Sequence, residues 1–206
     1  MSKPARPPRT RPAAGPARAP QQVRIIGGAW RRTPIPVAGV PGLRPSPDRV
    51  RETLFNWLTH LRPDIDLLRG LDLFAGTGAL GFELASRGAA RVVLVERQPL
   101  LLQRLRELQA RLQATSVEVI AGDALAVAAR LPPASFDIVF LDPPFGAGLL
   151  WPAVEASRRL LAPGGLLYAE TDEPVAADEA AAHGLKPMRS SRAGRVCFHL
   201  LRLRNA

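Results

Sequence analysis

Apolar residues follow two rhythms along this chain, and the change between them divides it. Val50, Leu54, Trp57, Leu58 and Leu61 recur at three- and four-residue spacing, which predicts one buried face of an α-helix. Arg49, Arg51, Glu52 and Asn56 occupy its opposite, polar side. Ser46, Pro47 and Asp48 read as the helix start, with a hydroxyl N-cap, a proline in the first turn and an early acid that suits the helix dipole. After Gly70, short apolar runs alternate with longer helical patterns. They predict strands at about 70–74, 91–95, 117–120, 136–141 and 165–170, and helices at about 79–87, 98–113, 123–130 and 149–161. Two final β segments, 185–189 and 195–203, flank Ser191-Arg192-Ala193-Gly194 and read as an antiparallel hairpin. Strands alternating with helices imply an α/β fold, a mostly parallel sheet of seven strands covered by helices.

Upstream of the helix the pattern is weaker. Val23 to Ile26 and Ile35 to Val37 are β-like, and Gly27, Gly28 and the aromatic-basic cluster Trp30-Arg31-Arg32 lie between them, so residues 22–45 read as a small basic hairpin extension. Residues 1–21 are mostly Pro, Ala and Arg, too poor in large apolar side chains to offset the entropy of ordering, and are expected to form a disordered basic tail. Residues 46–206 remain as the main domain, and 206 residues suffice for one sizeable core.

Charge sharpens this division. The net charge is +10, and residues 1–51 hold eleven Lys and Arg against the single acid Asp48. Residues 52–206 balance, with seventeen of each sign. A cationic leader on a neutral body suits a polyanionic partner such as nucleic acid, and equally a tail that aids solubility. One cysteine, Cys197, excludes a disulfide framework or thiolate cluster, and no apolar run nears the roughly 20 residues of a membrane span. With no secretory signal at the N-terminus, a cytoplasmic, monomeric protein is expected.

Candidate chemistry sits at strand ends. The first parallel strand runs into Asp72-Leu73-Phe74-Ala75-Gly76-Thr77-Gly78, a turn in which glycines let a ligand approach the backbone. Gly76, Gly78 and Gly81 also satisfy the dinucleotide fingerprint, which leaves a nicotinamide dehydrogenase open. Glu96, twenty residues beyond Gly76, can accept from ribose hydroxyls, with Arg97 beside it. Asp123, with Ala124 beside it, can meet an adenine amino group. Asp72 would repel a pyrophosphate and welcome a cationic group, which favours an adenosyl ligand bearing positive charge. The apolar run 136–141 then delivers Asp142-Pro143-Pro144-Phe145 to the same edge. Paired prolines hold a rigid extended turn, so the Asp142 carboxylate and Pro143 carbonyl can each accept one hydrogen of an amino group while Phe145 stacks on a base. His60, His183 and His199 stand outside these motifs, and no metal is expected.

Asp142 to Phe145 resembles the signature of amino-methyltransferases, Asp or Asn followed by Pro, Pro and an aromatic. The stretches Arg24–Arg31 (RIIGGAWR), Leu43–Leu58 (LRPSPDRVRETLFNWL) and Asp72–Gly78 (DLFAGTG) resemble more specifically the bacterial 16S rRNA guanine-N2 methyltransferase family, over about residues 22–203. That resemblance implies a Rossmann-like class I methyltransferase domain over 46–206, with S-adenosylmethionine as cofactor and the assembling small ribosomal subunit as partner. By the same resemblance Asp72, Phe74, Ala75, Gly76, Gly78, Glu96, Arg97, Asp123 and Ala124 would line the cofactor. Asp142, Pro143, Pro144 and Phe145 would hold the target base, Arg24, Trp30, Arg31 and Arg32 would meet RNA, and Arg44, Arg49 and Glu52 would lie near the cofactor mouth or the RNA. Pro47 departs from the small polar residue expected there, and the leader 1–21 has no counterpart. An adenine-N6 amino-methyltransferase and a non-catalytic RNA-binding assembly factor are the other readings these residues leave open.

Overall fold

The computed structural model describes residues 22–40 and 43–204; the expected basic tail, 1–21, lies outside them. Five parallel strands follow in sequence: β3 (Arg69–Asp72), β4 (Arg91–Glu96), β5 (Val117–Ala121), β6 (Phe136–Leu141) and β7 (Leu161–Thr171), with the antiparallel pair β8 (Leu185–Ala193) and β9 (Val196–Leu203) completing one sheet in the order β5-β4-β3-β6-β7-β9-β8. A separate hairpin pairs β1 (Gln22–Arg24) with β2 (Pro34–Pro36). Strand order reverses between β3 and β6, the position where open α/β sheets open a crevice for ligands.

Each strand alternates its side chains between two cores, as the pleat requires. Val92, Leu94, Ile138, Phe140, Leu166 and Tyr168 face one layer, which holds α1 (Asp48–Leu61), α2 (Ala79–Ser86), α3 (Pro99–Arg111) and the N-terminal hairpin. Val93, Val95, Val139, Leu141 and Leu167 face the other, with α4 (Ala124–Arg130), α5 (Leu150–Arg158) and α6 (Ala177–Ala182). The strands and helices expected from apolar rhythm are present, with shifted ends. α5 stops at Arg158 because β7 begins at Leu161. α6 was not anticipated, since its sequence ADEAAA carries no apolar stripe.

Two expectations for α1 are corrected. Ser46 does not cap it: the helix begins at Asp48, Pro47 is the N-cap, and the Val50 and Arg51 amides both donate to the Pro47 carbonyl. Arg51 does not lie on a polar face but is fully buried. Its guanidinium finds enough acceptors to be buried: the Arg24 carbonyl at 2.8 Å, the Ser46 carbonyl at 3.2 Å and Asp48 at 2.6 Å, with Glu83 at 3.5 Å. Glu83, equally buried on α2, accepts from the Ile26 and Gly27 amides at 2.6 and 2.8 Å. Arg51 and Glu83 thus fasten the hairpin to α1 and α2. Close approach completes the joint, for the Ala29 amide donates to the Ser86 carbonyl at 2.7 Å. At Gly28, with φ of +78°, any Cβ would lie 1.8 Å from the Ser86 oxygen.

Candidate active site

A cleft of about 520 Å³ opens at the carboxyl ends of β3, β4, β5 and β6, with the segment before α1 as its roof. Asp72, Phe74, Ala75, Gly76, Glu96, Arg97, Asp123, Ala124 and Asp142 through Phe145 all line it, so the structure gathers residues 70 positions apart into one site. Arg44 lines it too. Gly78 does not: it sits beneath, at the N-cap of α2 with φ of +78°, where a Cβ would run into Leu105 at 2.6 Å. Arg24, Trp30, Arg31, Arg32 and Arg49 lie outside the cleft; Arg24 pairs with Asp48 at 3.4 Å, Trp30 packs its ring on the core, and Arg31, Arg32 and Arg49 are exposed.

The glycine turn is held by an acid from the next strand. Glu96 accepts from the Gly76 amide at 2.9 Å and from the Arg97 and Gln98 amides at 2.8 Å each. Its carboxylate therefore shapes the loop as well as facing the cleft. Asp123 caps α4, its Oδ1 accepting from the Leu125 and Ala126 amides at 3.0 and 3.1 Å. Asp72 is the anomaly. It is buried, and neither carboxylate oxygen meets a hydrogen-bond partner among the described residues, although the Phe74 and Gly81 amides lie nearby and weakly favour its anion. Burial, reinforced by the charges of Glu96 and Glu170, pushes its pKa up to about 7.

Asp142 is not alone on its strand end. Its Oδ2 accepts a hydrogen bond from the Ser46 hydroxyl at 3.4 Å, the use to which the supposed helix cap is put. Leu141 of β6 lies beside Ala169 of β7, so the next residues, Asp142 and Glu170, continue side by side on one face. Glu170 is buried and accepts from the Tyr168 hydroxyl at 2.9 Å. Burial first, then the neighbouring charges of Glu170 and Asp72, raises the Asp142 pKa well above the ordinary carboxylate range, against the Ser46 hydrogen bond. Burial also raises Glu170 and Tyr168. The sequence pattern marks Ser46 only as a helix start and does not single out Tyr168 or Glu170. For Glu170 a signal existed: β3, β4, β6 and β7 all end in or next to an acid, and the segment LLYAE repeats the pattern of the others.

Of the three histidines, His183 stacks on Trp151 with ring centroids 4.0 Å apart and His199 is buried against Ser190 at 2.9 Å. Neither reaches the cleft, and among the described residues no group of His, Cys, Asp or Glu is arranged as a metal site.

A reversing parallel sheet, an acid-fastened glycine turn and an Asp-Pro-Pro-Phe edge define a class I methyltransferase. The fold is shared with solved methyltransferases of low sequence similarity, among them the precorrin-6y C5,15-methyltransferase of Geobacter metallireducens, 20% identical with a TM-score of 0.60 over 80% of this chain and 92% of that one. The chain belongs to the family described as conserved hypothetical protein 95, whose model matches residues 23–202. Its relatives include ribosomal RNA small subunit methyltransferase D of Escherichia coli, 43% identical over 73% of this chain and 75% of that protein. The protein of the same description in Haemophilus influenzae is 41% identical over 77% of this chain and 84% of that one. The solved structure of Escherichia coli yhhF, 40% identical, superposes with a TM-score of 0.74 over 87% of this chain and 97% of that one. The family resemblance of the sequence motifs is borne out, and with it the seven-stranded α/β fold.

Proposed function

We propose that this protein transfers a methyl group from S-adenosylmethionine to the exocyclic N2 amine of a guanine in 16S rRNA of the small ribosomal subunit, in the cytoplasm. The observation that carries the reading is Asp142: a carboxylate pinned by Ser46 at the end of β6, followed by rigid prolines and by Phe145 at the exposed rim of the same cleft as the glycine turn. In this reading residues 22–45 form an RNA-facing extension of a catalytic domain over 46–206, with 1–21 as a basic tail. The relatives' names supply the substrate class.

The residues present suit the cofactor. Asp72 is a buried carboxylate with no partner of its own, which a cationic ligand would neutralise. Glu96 and Asp123 would hold the ribose and adenine, at the ends of successive strands. S-adenosylmethionine supplies an electrophilic methyl carbon on a sulfonium. The chain's own part is orientation, because the lone pair of a guanine amine is delocalised into the ring and gains most from being aimed. Asp142 Oδ1 and the Pro143 carbonyl accept the two amine hydrogens, and Phe145 stacks on the base. The methylated nitrogen must then shed one proton, and the Asp142 carboxylate is the base in contact with it.

The substrate is tested with radiolabelled cofactor offered to naked DNA, free 16S rRNA and assembled small subunits, followed by mass spectrometric mapping of the labelled nucleotide. Label in N2-methylguanine of 16S rRNA is expected; label confined to DNA or to adenine N6 overturns the reading.

Ionised Asp142 is the competent form in this scheme, and Glu170 opposes that ionisation. Removing the Glu170 charge lowers the Asp142 pKa, so in Glu170→Gln the acidic limb of kcat/KM against pH should move to lower pH. A limb that stays in place would show that Glu170 does not tune the site.

A further inference from the structure

The cationic excess of this protein is not confined to its N-terminal leader. Residues 52–184 carry eleven Lys and Arg against seventeen acids, whereas residues 185–206 carry six and no acid at all. The body is therefore anionic and its last hairpin cationic. Eight arginines elsewhere, from Arg24 to Arg158, are ion-paired, but none of those on the β8–β9 hairpin meets a carboxylate among the described residues. Arg189, Arg192 and Arg195 are exposed. Among the described residues Arg189 and Arg192 donate only to nearby backbone, the Met188 carbonyl at 2.8 Å and the Gly194 carbonyl at 2.9 Å.

Sheet register gives this charge a location. Thr171 of β7, Cys197 of β9 and Arg192 of β8 lie in one row at the carboxyl edge, so the hairpin turn sits at the end of the sheet where the cleft opens. β8 is three strand spacings from β6, about 14 Å. That is the Asp142 side of the cleft, away from the glycine turn. Arg189 pairs with Leu200, on the sheet face covered by α1, whose first turn carries the exposed Arg49, whereas Arg192 pairs with Cys197 and projects from the opposite face, so the arginines straddle the edge strand beside the turn that holds Arg195. Three exposed guanidiniums with no carboxylate partner among the described residues, on the edge strand to the Asp142 side of the cleft, suit the phosphates of nucleotides that flank an extruded base.

We propose that the β8–β9 hairpin is a second RNA-contacting arm, in which Arg189, Arg192 and Arg195 hold backbone phosphates of the strand flanking the target base on the Asp142 side of the cleft. It rests on the rRNA reading above. Charged residues on an edge strand also discourage edge-to-edge pairing, and the experiment separates the two roles.

The full chain and its R189A/R192A/R195A variant are compared for binding to assembled small subunits across a salt series, with the R189K/R192K/R195K variant as a control for charge. The alanine variant should lose about two to three from the slope of log K against log salt and bind ten- to a hundredfold more weakly near physiological salt. Thermal melting and cofactor affinity should be unchanged, and the lysine variant should keep the wild-type slope. An unchanged slope in the alanine variant overturns the proposal, and self-association of that variant with subunit binding intact assigns the arginines to edge protection instead. Absence of salt-dependent subunit binding by the wild type would defeat the rRNA reading itself, and this arm with it.

Discussion

Asp142→Ala is expected to cut methyl transfer by about 10²–10⁴-fold while cofactor affinity stays within about threefold of wild type. The loss follows from the two tasks given to one carboxylate, aiming the amine and taking its proton. The cofactor's expected contacts come from other strands, Asp72 on β3, Glu96 on β4 and Asp123 after β5, so they survive the change. Asp142→Asn separates the tasks, because the amide oxygen can still accept one amine hydrogen but cannot take a proton at neutral pH. An intermediate rate in Asn, with loss of the acidic limb of the pH profile, is the expected pattern. Single-turnover rates and calorimetric cofactor binding measure both quantities. An alanine variant within tenfold of wild type would remove Asp142 from the chemistry.

The second large effect is on stability. Glu83→Ala is expected to destabilise the protein by about 3–5 kcal/mol, measured as a fall in denaturant midpoint at unchanged slope. Arg51 would remain fully buried with its closest remaining anion, Asp48, half in solvent, and the Ile26 and Gly27 amides would lose their acceptor. Removing both charges in Arg51→Met with Glu83→Leu should cost less than the two single changes added together, since neither leaves the other stranded. A loss below about 1 kcal/mol for Glu83→Ala would mean that this pair does not hold the hairpin to the sheet.

Much of this architecture is legible in the amino-acid sequence. The alternation of apolar β runs with helical stripes gave the parallel sheet, and the loops after β3, β4, β5 and β6 carried the residues that line the cleft. Errors came where a polar residue's use depends on a distant partner. Ser46 has the chemistry of a helix cap, and local rules place it there, but its hydroxyl meets a carboxylate 96 residues away. Arg51 falls on the polar side of a helical wheel, yet that side turns out to face the hairpin and α2, where Glu83 and backbone carbonyls receive it.

The order of apolar and polar residues decided the elements and which strand ends bear acids, because periodicity and propensity act between neighbours a few positions apart. Sheet register decided that Asp142 stands beside Glu170, and the packing of the hairpin decided that Arg51 is buried. Such pairings join segments far apart in the chain. The free energy of ordering them is recovered only when the whole core closes, so no local stretch of sequence encodes them.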